Sequence, residues 1–383
     1  MRIALIHSFY DERMASGENR AVEMQSEALA RLGHEVVVIS RHTRAESEHF
    51  AYPLRAASRV ALGTGPSPLD HIARFGPDIV HVHNLFPNIG TRWLRHCSAP
   101  VVASIHNYRL VCAAGTLHRD GATCTLCPDG DHLASLRHRC YRSSAVATLP
   151  LTIANRRPLG ENPLVANAAS LVVPTQRVAD TLAGFGVDSD HIEICPYFVS
   201  TPHAAAAPMP RDERWVAVGR LQPEKGLLDL VRSWPRGRPL DIVGEGDQFD
   251  VIAGVNHPDV RMLGQLAVDD LVGRLPAYTG LVFPSRWMGN EATIVLDSLA
   301  AGLPIVYFTG SSAADSTQGS GAGFEVAEFS EDSWRSALDR VIDAGEGART
   351  AARRRYEERH SASSWERRMV GIYQGVIERK AAR

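Results

Sequence analysis

With 383 residues, 44% of them hydrophobic and only 22% charged, the chain has apolar material for two or three packed domains, which excludes disorder as its default state. A formal net charge of −2 excludes the strongly basic footprint of a nucleic-acid-binding protein. No stretch approaches the ~20 apolar residues of a membrane span, and the opening apolar run is too short for a signal peptide. The expectation is a soluble, cytoplasmic protein whose six cysteines are thiols or metal ligands rather than a disulfide frame.

Taken in order, short β-branched runs at 3–6, 36–39, 78–82, 100–104 and 171–174 alternate with helix-like stretches. The clearest of these is 18–32, with Val22, Ala28, Leu29 and Leu32 on one face and Gly33 at its end. Such alternation predicts a parallel, doubly wound sheet. A loop of Pro, Ala and His at 200–210 reads as an interdomain linker. The alternation then restarts, with runs at 215–218, 240–243, 260–263, 281–283, 305–308 and 324–326, and 291–301 as its best amphipathic helix. The tail, 361–380, carries Trp365, Met369, Ile372, Tyr373 and Val376 at helical spacing. The predicted organisation is an N-terminal Rossmann-like domain (1–198) with a cysteine-containing insertion (107–145), a linker (199–212), a C-terminal Rossmann-like domain (213–362), and a helix (363–383) packing back toward the first domain. Two such units bury a cleft between their strand ends, where ligands of open α/β sheets sit.

The stretch VAVGRLQPEKG, 216–226, reads as a buried strand, a turn with two cations, and the start of an apolar helix. Lys225 is informative because the chain has only one other lysine, Lys380, among forty-one Lys and Arg residues. A compact point charge beside a helix N-terminus suits a phosphate. The same fragment also reads as a surface loop with solvated charges.

Together IALIHSFY (3–10), SGENRAVEMQSEALARLGHEV (16–36), PDIVHVHN (77–84), ASIHNYRLVC (103–112), VAVGRLQPEKG, DIVGEGDQ (241–248), VRMLGQL (260–266) and FPSRW through LDSLAAGLPIV (283–306) resemble, in order and spacing, glycosyltransferase family 4, the retaining GT-B enzymes. The resemblance implies a two-domain GT-B fold and transfer of a sugar from a nucleotide diphosphate sugar with retention, generally with no metal on the diphosphate. It assigns Arg220 and Lys225, after Gly219, to the donor diphosphate. Fixed cations there would stabilise the departing charge. Gly17 corresponds to the glycine-rich turn facing the same phosphates, though one glycine stands where many relatives have two, and it equally reads as a helix-entry glycine. His106 corresponds to the family's cleft histidine and would position hydroxyls, the donor phosphate itself taking the acceptor proton. Backbone of Gly264 and Leu266 would meet the nucleobase edge, with Gly244-Glu245-Gly246 in a neighbouring loop. His81 and His83, alternating in a strand, read as packing residues.

The main departure lies in 287–302. Of the family's two glutamates, the ribose-binding second falls on Asp297 and the sugar-facing first on Gly289, which has no side chain. Glu291 either reaches the same region through a reshaped loop or is the first acidic residue of the helix. A backbone N–H of Asn290 or Glu291 serves instead if neither carboxylate does, and weakened or altered catalysis is the remaining reading.

Cys112, Cys124, Cys127 and Cys140, spaced C-x11-C-x2-C-x12-C, read as a tetrahedral structural zinc site, with His118, His132 or His138 able to replace a ligand, as an iron–sulfur cluster site, or as buried small hydrophobes. Arg137, Arg139, Arg142, Arg156 and Arg157 flank the apolar 145–154, which reads as a solvated face beside a core helix or as a basic patch that faces the acceptor or skims the inner face of a membrane. The acceptor then ranges from a small molecule to a lipid-linked glycan. Two rivals to glycosyl transfer stand beside it: a nucleotide-sugar epimerase of GT-B fold, and a non-catalytic nucleotide-sugar binder.

Overall fold

The computed structural model describes residues 1–10, 16–200, 213–287 and 289–382. Beyond 199 and 200, the predicted linker lies outside the described residues. Two compact units emerge. The first comprises Met1–Leu117, Cys124–Pro196 and the chain from Trp365 onward; the second comprises His118–Thr123 and Tyr197–Ser364.

In chain order the strands are β1 (Arg2–Phe9), β2 (Glu35–His42), β3 (Ile79–Asn84), β4 (Val101–Ser104), β5 (His118–Arg119), β6 (Ala122–Thr123), β7 (Ser170–Val173) and β8 (Ile192–Ile194). They continue as β9 (Trp215–Val218), β10 (Leu240–Val243), β11 (Val260–Gly264), β12 (Leu281–Phe283), β13 (Ile305–Phe308) and β14 (Gly323–Val326). The first unit holds a six-stranded parallel sheet ordered β2-β1-β3-β4-β7-β8, the second one ordered β11-β10-β9-β12-β13-β14. Register is set by apolar pairs such as Ile3 with Val36 and Ile79, and Ile305 with Gly323 and Leu281.

Continuous apolar runs rather than alternating ones form these strands because both faces of a parallel sheet are covered. Ile3, Leu5, Ile6, Ile79 and Leu171 are fully buried in the first unit, as are Trp215, Leu230, Ile242 and Trp334 in the second. The helix Gly17–Arg31 is capped by the Ser16 hydroxyl, which accepts from Asn19 N–H, and it buries Val22, Ala28 and Leu29 on the sheet. The tail forms the helix Ala362–Ala381, with Trp365, Met369, Tyr373 and Val376 buried. Strand β8 and the hairpin β5–β6 were not foreseen. The latter's two residues per strand are too short to leave an alternation in the sequence.

Each sheet reverses its direction of growth once, between β1 and β3 in the first and between β9 and β12 in the second. Crevices at the carboxyl ends of strands flanking such a reversal are where doubly wound sheets take ligands.

Candidate active site

In the second unit, the loops after β9 and β12 are stitched together. Strand β9 ends at Val218, and the chain then passes Gly219, Arg220 and Leu221 into the single turn Pro223–Lys225. Gly244 and Gly246 hold this loop from one side. A Cβ on Gly244 would lie 1.9 Å from the Gly219 carbonyl oxygen, and one on Gly246 2.6 Å from that of Leu221, so only glycine lets the two backbones meet. Leu221 N–H donates to Glu245 O (2.9 Å) across this contact. From the other side Arg286 N–H donates to Glu224 O (3.0 Å), and the Arg286 guanidinium pairs with Asp229 at 3.0 Å. Gly226, in the left-handed region at φ 69°, presses on the Pro284 carbonyl.

Arg220 is exposed at this turn, and Lys225 is partly covered, its Nζ 4.4 Å from the centroid of the Trp287 ring. Burial, and then the charge of Arg220, push the Lys225 ammonium down to about 8, with Glu224 opposing. Among the described residues no carboxylate forms a salt bridge with either cation. Gly264, at φ 68°, ends β11, and its carbonyl accepts from Gly244 N–H at 2.8 Å. Leu266 follows two residues later.

The loop after β12 carries the departure from the expected pattern. Gly289 is buried against Trp287, and a Cβ there would come within 2.6 Å of the indole. Trp287 therefore fills the space a side chain at 289 would need. The helix starts at Thr293 rather than 291, so Glu291 is not its first acidic residue. Its carboxylate turns inward, accepting from Tyr197 N–H at 2.8 Å and the Ser316 hydroxyl at 3.4 Å, 3.9 Å from His360. Burial lifts it to about 7 and drives His360 down to about 3. Asn290 donates to the Tyr197 hydroxyl at 3.5 Å, and Asp297 is buried in the helix Thr293–Ala300.

In the first unit, the corresponding crevice is lined by histidines. His7 on β1, His81 and His83 on β3, and His106 after β4 converge there. Asn19 Oδ1 accepts from Tyr10 N–H (3.3 Å) while its Nδ2 donates to Tyr10 O (3.4 Å), which fixes the amide's orientation. His7 Nε2, 3.1 Å from the same Oδ1, is therefore the donor. His81 is held between the Tyr373 hydroxyl (2.7 Å) and the Ser104 hydroxyl (2.8 Å). His83 Nδ1 and His106 Nε2 share one hydrogen bond at 3.0 Å. Burial keeps the set neutral: His7 and His106 at about 4, His81 at about 3, His83 well below its usual value. His83 and His106 line a cavity of about 600 Å³ together with Asn84 and Asn107, and Asn107 donates to Glu18 at 2.6 Å. Gly17 is exposed in the first turn of the helix Gly17–Arg31. His83, read as packing, thus joins the site. The signal was its place at the end of a strand beside the sheet's reversal.

The cysteines correct an expectation. Among the described residues no group of three or more His, Cys, Asp and Glu is placed to hold a metal, and Cys112, Cys124, Cys127 and Cys140 are half-buried. Cys112 N–H donates to Tyr108 O, Cys124 N–H to Leu117 O and Cys140 N–H to Ser135 O, while burial, and after it the nearby Cys112 and Cys124, raise the Cys127 thiol. No helix among the described residues is long and apolar enough to cross a membrane.

Comparison with known proteins agrees over both units. The family model described as Glycosyltransferase Family 4 matches residues 15–203, and that described as Glycosyl transferases group 1 matches 212–344. A glycogen synthase of Mycobacterium tuberculosis is 25% identical over 352 residues, covering 80% of this chain and 77% of its own. Among solved structures, sucrose-phosphate synthase from Thermosynechococcus elongatus matches with a TM-score of 0.68 at 16% identity, covering 98% of this chain and 99% of the other. Anabaena Alr3699/HepE in complex with UDP matches at 0.62 and 12% identity, covering 98% and 100%.

Proposed function

The chain belongs to glycosyltransferase family 4, with two GT-B-type parallel-sheet units, and from that premise we propose that it moves a sugar from a nucleotide diphosphate sugar to an acceptor hydroxyl with retention. One observation carries the reading: two cations, Arg220 and Lys225, stand at the reversal of the second sheet close enough for one charge to depress the other, and no described carboxylate forms a salt bridge with either. Like charges held together repel, and a diphosphate relieves that repulsion. In the proposed reaction the bond from the anomeric carbon to the phosphate oxygen breaks, and its electron pair leaves on the diphosphate between these cations. The acceptor oxygen attacks from the same face, and its proton passes to the departing phosphate.

The neutral histidines fit that route. An imidazole at about 4 is too weak a base to take a hydroxyl proton, so His106 orients the acceptor by hydrogen bonding, and His83 holds its ring. Gly17 would face the donor phosphates, Gly264 and Leu266 the base, and Asp297 the ribose. With Gly289 occupied by the indole, the donor sugar would meet backbone N–H groups of Asn290 or Glu291, a loop clamped by the inward Glu291 carboxylate.

The test is incubation with UDP-, GDP- and dTDP-sugars while following nucleotide diphosphate release, UDP-sugars first because HepE is described in complex with UDP. Acceptor-dependent release is expected. Interconversion of the sugar nucleotide without release would show an epimerase instead, and binding without turnover a non-catalytic binder.

A further inference from the structure

The cavity beside His106 is unusually one-signed. Six arginines line it, Arg59, Arg92, Arg95, Arg109, Arg156 and Arg157, and no aspartate or glutamate does. Two are committed to an ion pair or an aromatic ring. Arg59 pairs with Glu46 at 2.8 Å, and Arg109 lies over the Phe86 ring, 4.2 Å from its centroid, donating to Ala113 O.

The other four are exposed and form no salt bridge with a described residue. They come from two segments far apart in sequence. Arg92 and Arg95 lie in the 3₁₀ helix Arg92–His96, where residues three apart eclipse each other. Trp93 and Leu94 between them are buried, which leaves Arg92 and Arg95 on the outer side, where Arg92 Nε donates to Leu62 O at 3.1 Å. Arg156 and Arg157 follow the helix Ala145–Ala154, whose cap residue Asn155 donates to Arg109 O at 3.0 Å and so ties this segment to the cavity wall.

A helix C-terminus accounts for a cation near it. It does not account for two more arriving from another element into the same hollow. Converging like charges cost free energy unless an anion offsets them. Arginine's planar fork suits phosphate oxygens. A cavity of about 600 Å³ is within the range that holds a small ligand.

We propose that this cavity binds a phosphate group carried by the acceptor, seated among Arg92, Arg95, Arg156 and Arg157, with the hydroxyl to be glycosylated directed at His106. The proposal rests on the glycosyltransferase reading above and specifies its acceptor class. Phosphate on a soluble sugar and phosphate in a lipid headgroup share this chemistry. The cavity's apolar wall of Leu62, Phe86, Leu110 and Leu151 accepts either a sugar face or the start of a chain. Beside it, the packed helices Tyr52–Leu62 and Ala145–Ala154 expose Leu54, Leu62, Val146 and Leu149.

The experiment uses the full chain with its donor site filled by saturating UDP, so that the probe cannot occupy it. UDP binding is measured first and separately; its absence counts against the glycosyltransferase reading, not against the cavity. Glucose 6-phosphate and glucose are then titrated calorimetrically, and phosphatidylcholine vesicles with and without phosphatidic acid are tested by flotation. Saturable binding of the phosphate sugar but not of glucose identifies a soluble acceptor, and phosphatidic-acid-dependent flotation identifies a lipid one. In either case Arg92→Gln/Arg95→Gln and Arg156→Gln/Arg157→Gln should each weaken binding by roughly tenfold or more, with added salt weakening the parent further. UDP affinity should stay unchanged in both variants, which also shows that they are folded. Equal binding of glucose and glucose 6-phosphate with no phosphatidic acid effect, or phosphate binding that survives both double substitutions, overturns the proposal.

Discussion

The two units put opposite chemistry at the same topological place. At the reversal of the second sheet stand two cations, one of them depressed to about 8 by burial and by its neighbour. At the reversal of the first stand histidines that burial keeps uncharged down to about pH 4. On the proposed function, one crevice would meet negative charge and the other would hold hydroxyls without altering their proton count. A shared fold supplies the positions, and the residues after each strand decide what each position does.

The largest effect should come from breaking the charged half. Lys225→Ala should lower turnover about 10²- to 10³-fold while changing stability by about 1 kcal/mol or less, read as nucleotide diphosphate release against a thermal melt. Near-normal transfer would show that the two crevices do not differ in this way. The pH dependence sharpens the point. Because the free enzyme's Lys225 titrates at about 8, below its usual 10.5, it carries its charge below pH 8 and loses it above. An anion restores the charged form, so binding above pH 8 takes up a proton, and UDP affinity should fall by up to about tenfold per pH unit there. Lys225→Arg, which keeps its charge, should flatten that slope.

A smaller loss is expected from the neutral half. His106→Gln should cut kcat/KM by roughly 10- to 100-fold, and no step in the parent's kcat between pH 6 and 8 should trace to an imidazole, since none in the crevice titrates there and the buried Glu291, at about 7, is the group that does. A sigmoidal step near pH 6.5 that disappears in the variant would make His106 a base and erase the contrast with Lys225.

Much of this arrangement was legible in the chain. Eleven of the strands could be placed because fully covered parallel strands are uninterrupted apolar runs, and Trp215–Val218, Leu240–Val243, Leu281–Phe283 and Ile305–Phe308 begin and end where their β-branched runs do. The rest depended on contacts between residues distant in sequence. Nothing local to HVHN says that His83 meets His106, twenty-three residues on, or that His81 is pinned by Tyr373 in the tail. The four cysteines erred in the opposite direction. Their spacing suggested a metal site, which the described residues do not form, although Cys127 lies near enough to Cys112 and Cys124 to feel their charge. Gly289 looked like a missing carboxylate; the indole two residues before it explains the glycine sterically.

That indole offers the finest test of how the charged crevice is built. Gly289→Ala would set a Cβ 2.6 Å from the ring atoms of Trp287, and overpacking of this kind costs about 1–3 kcal/mol. A ring displaced from Gly289 shifts relative to Lys225, whose ammonium lies 4.4 Å from its centroid in a contact worth about 0.5–2 kcal/mol. Gly289→Ala should therefore lower the melting temperature and weaken UDP binding severalfold together. In a Trp287→Ala background the same substitution has nothing to strike, so both effects should shrink, leaving a coupling of about 0.5–3 kcal/mol between positions 287 and 289. Additive effects would mean that Gly289 answers to some other constraint, and that the cationic turn is held without the indole. A measured coupling would tie the glycine to the placement of Lys225, making the loss of a side chain at 289 part of how this half of the molecule holds its charge.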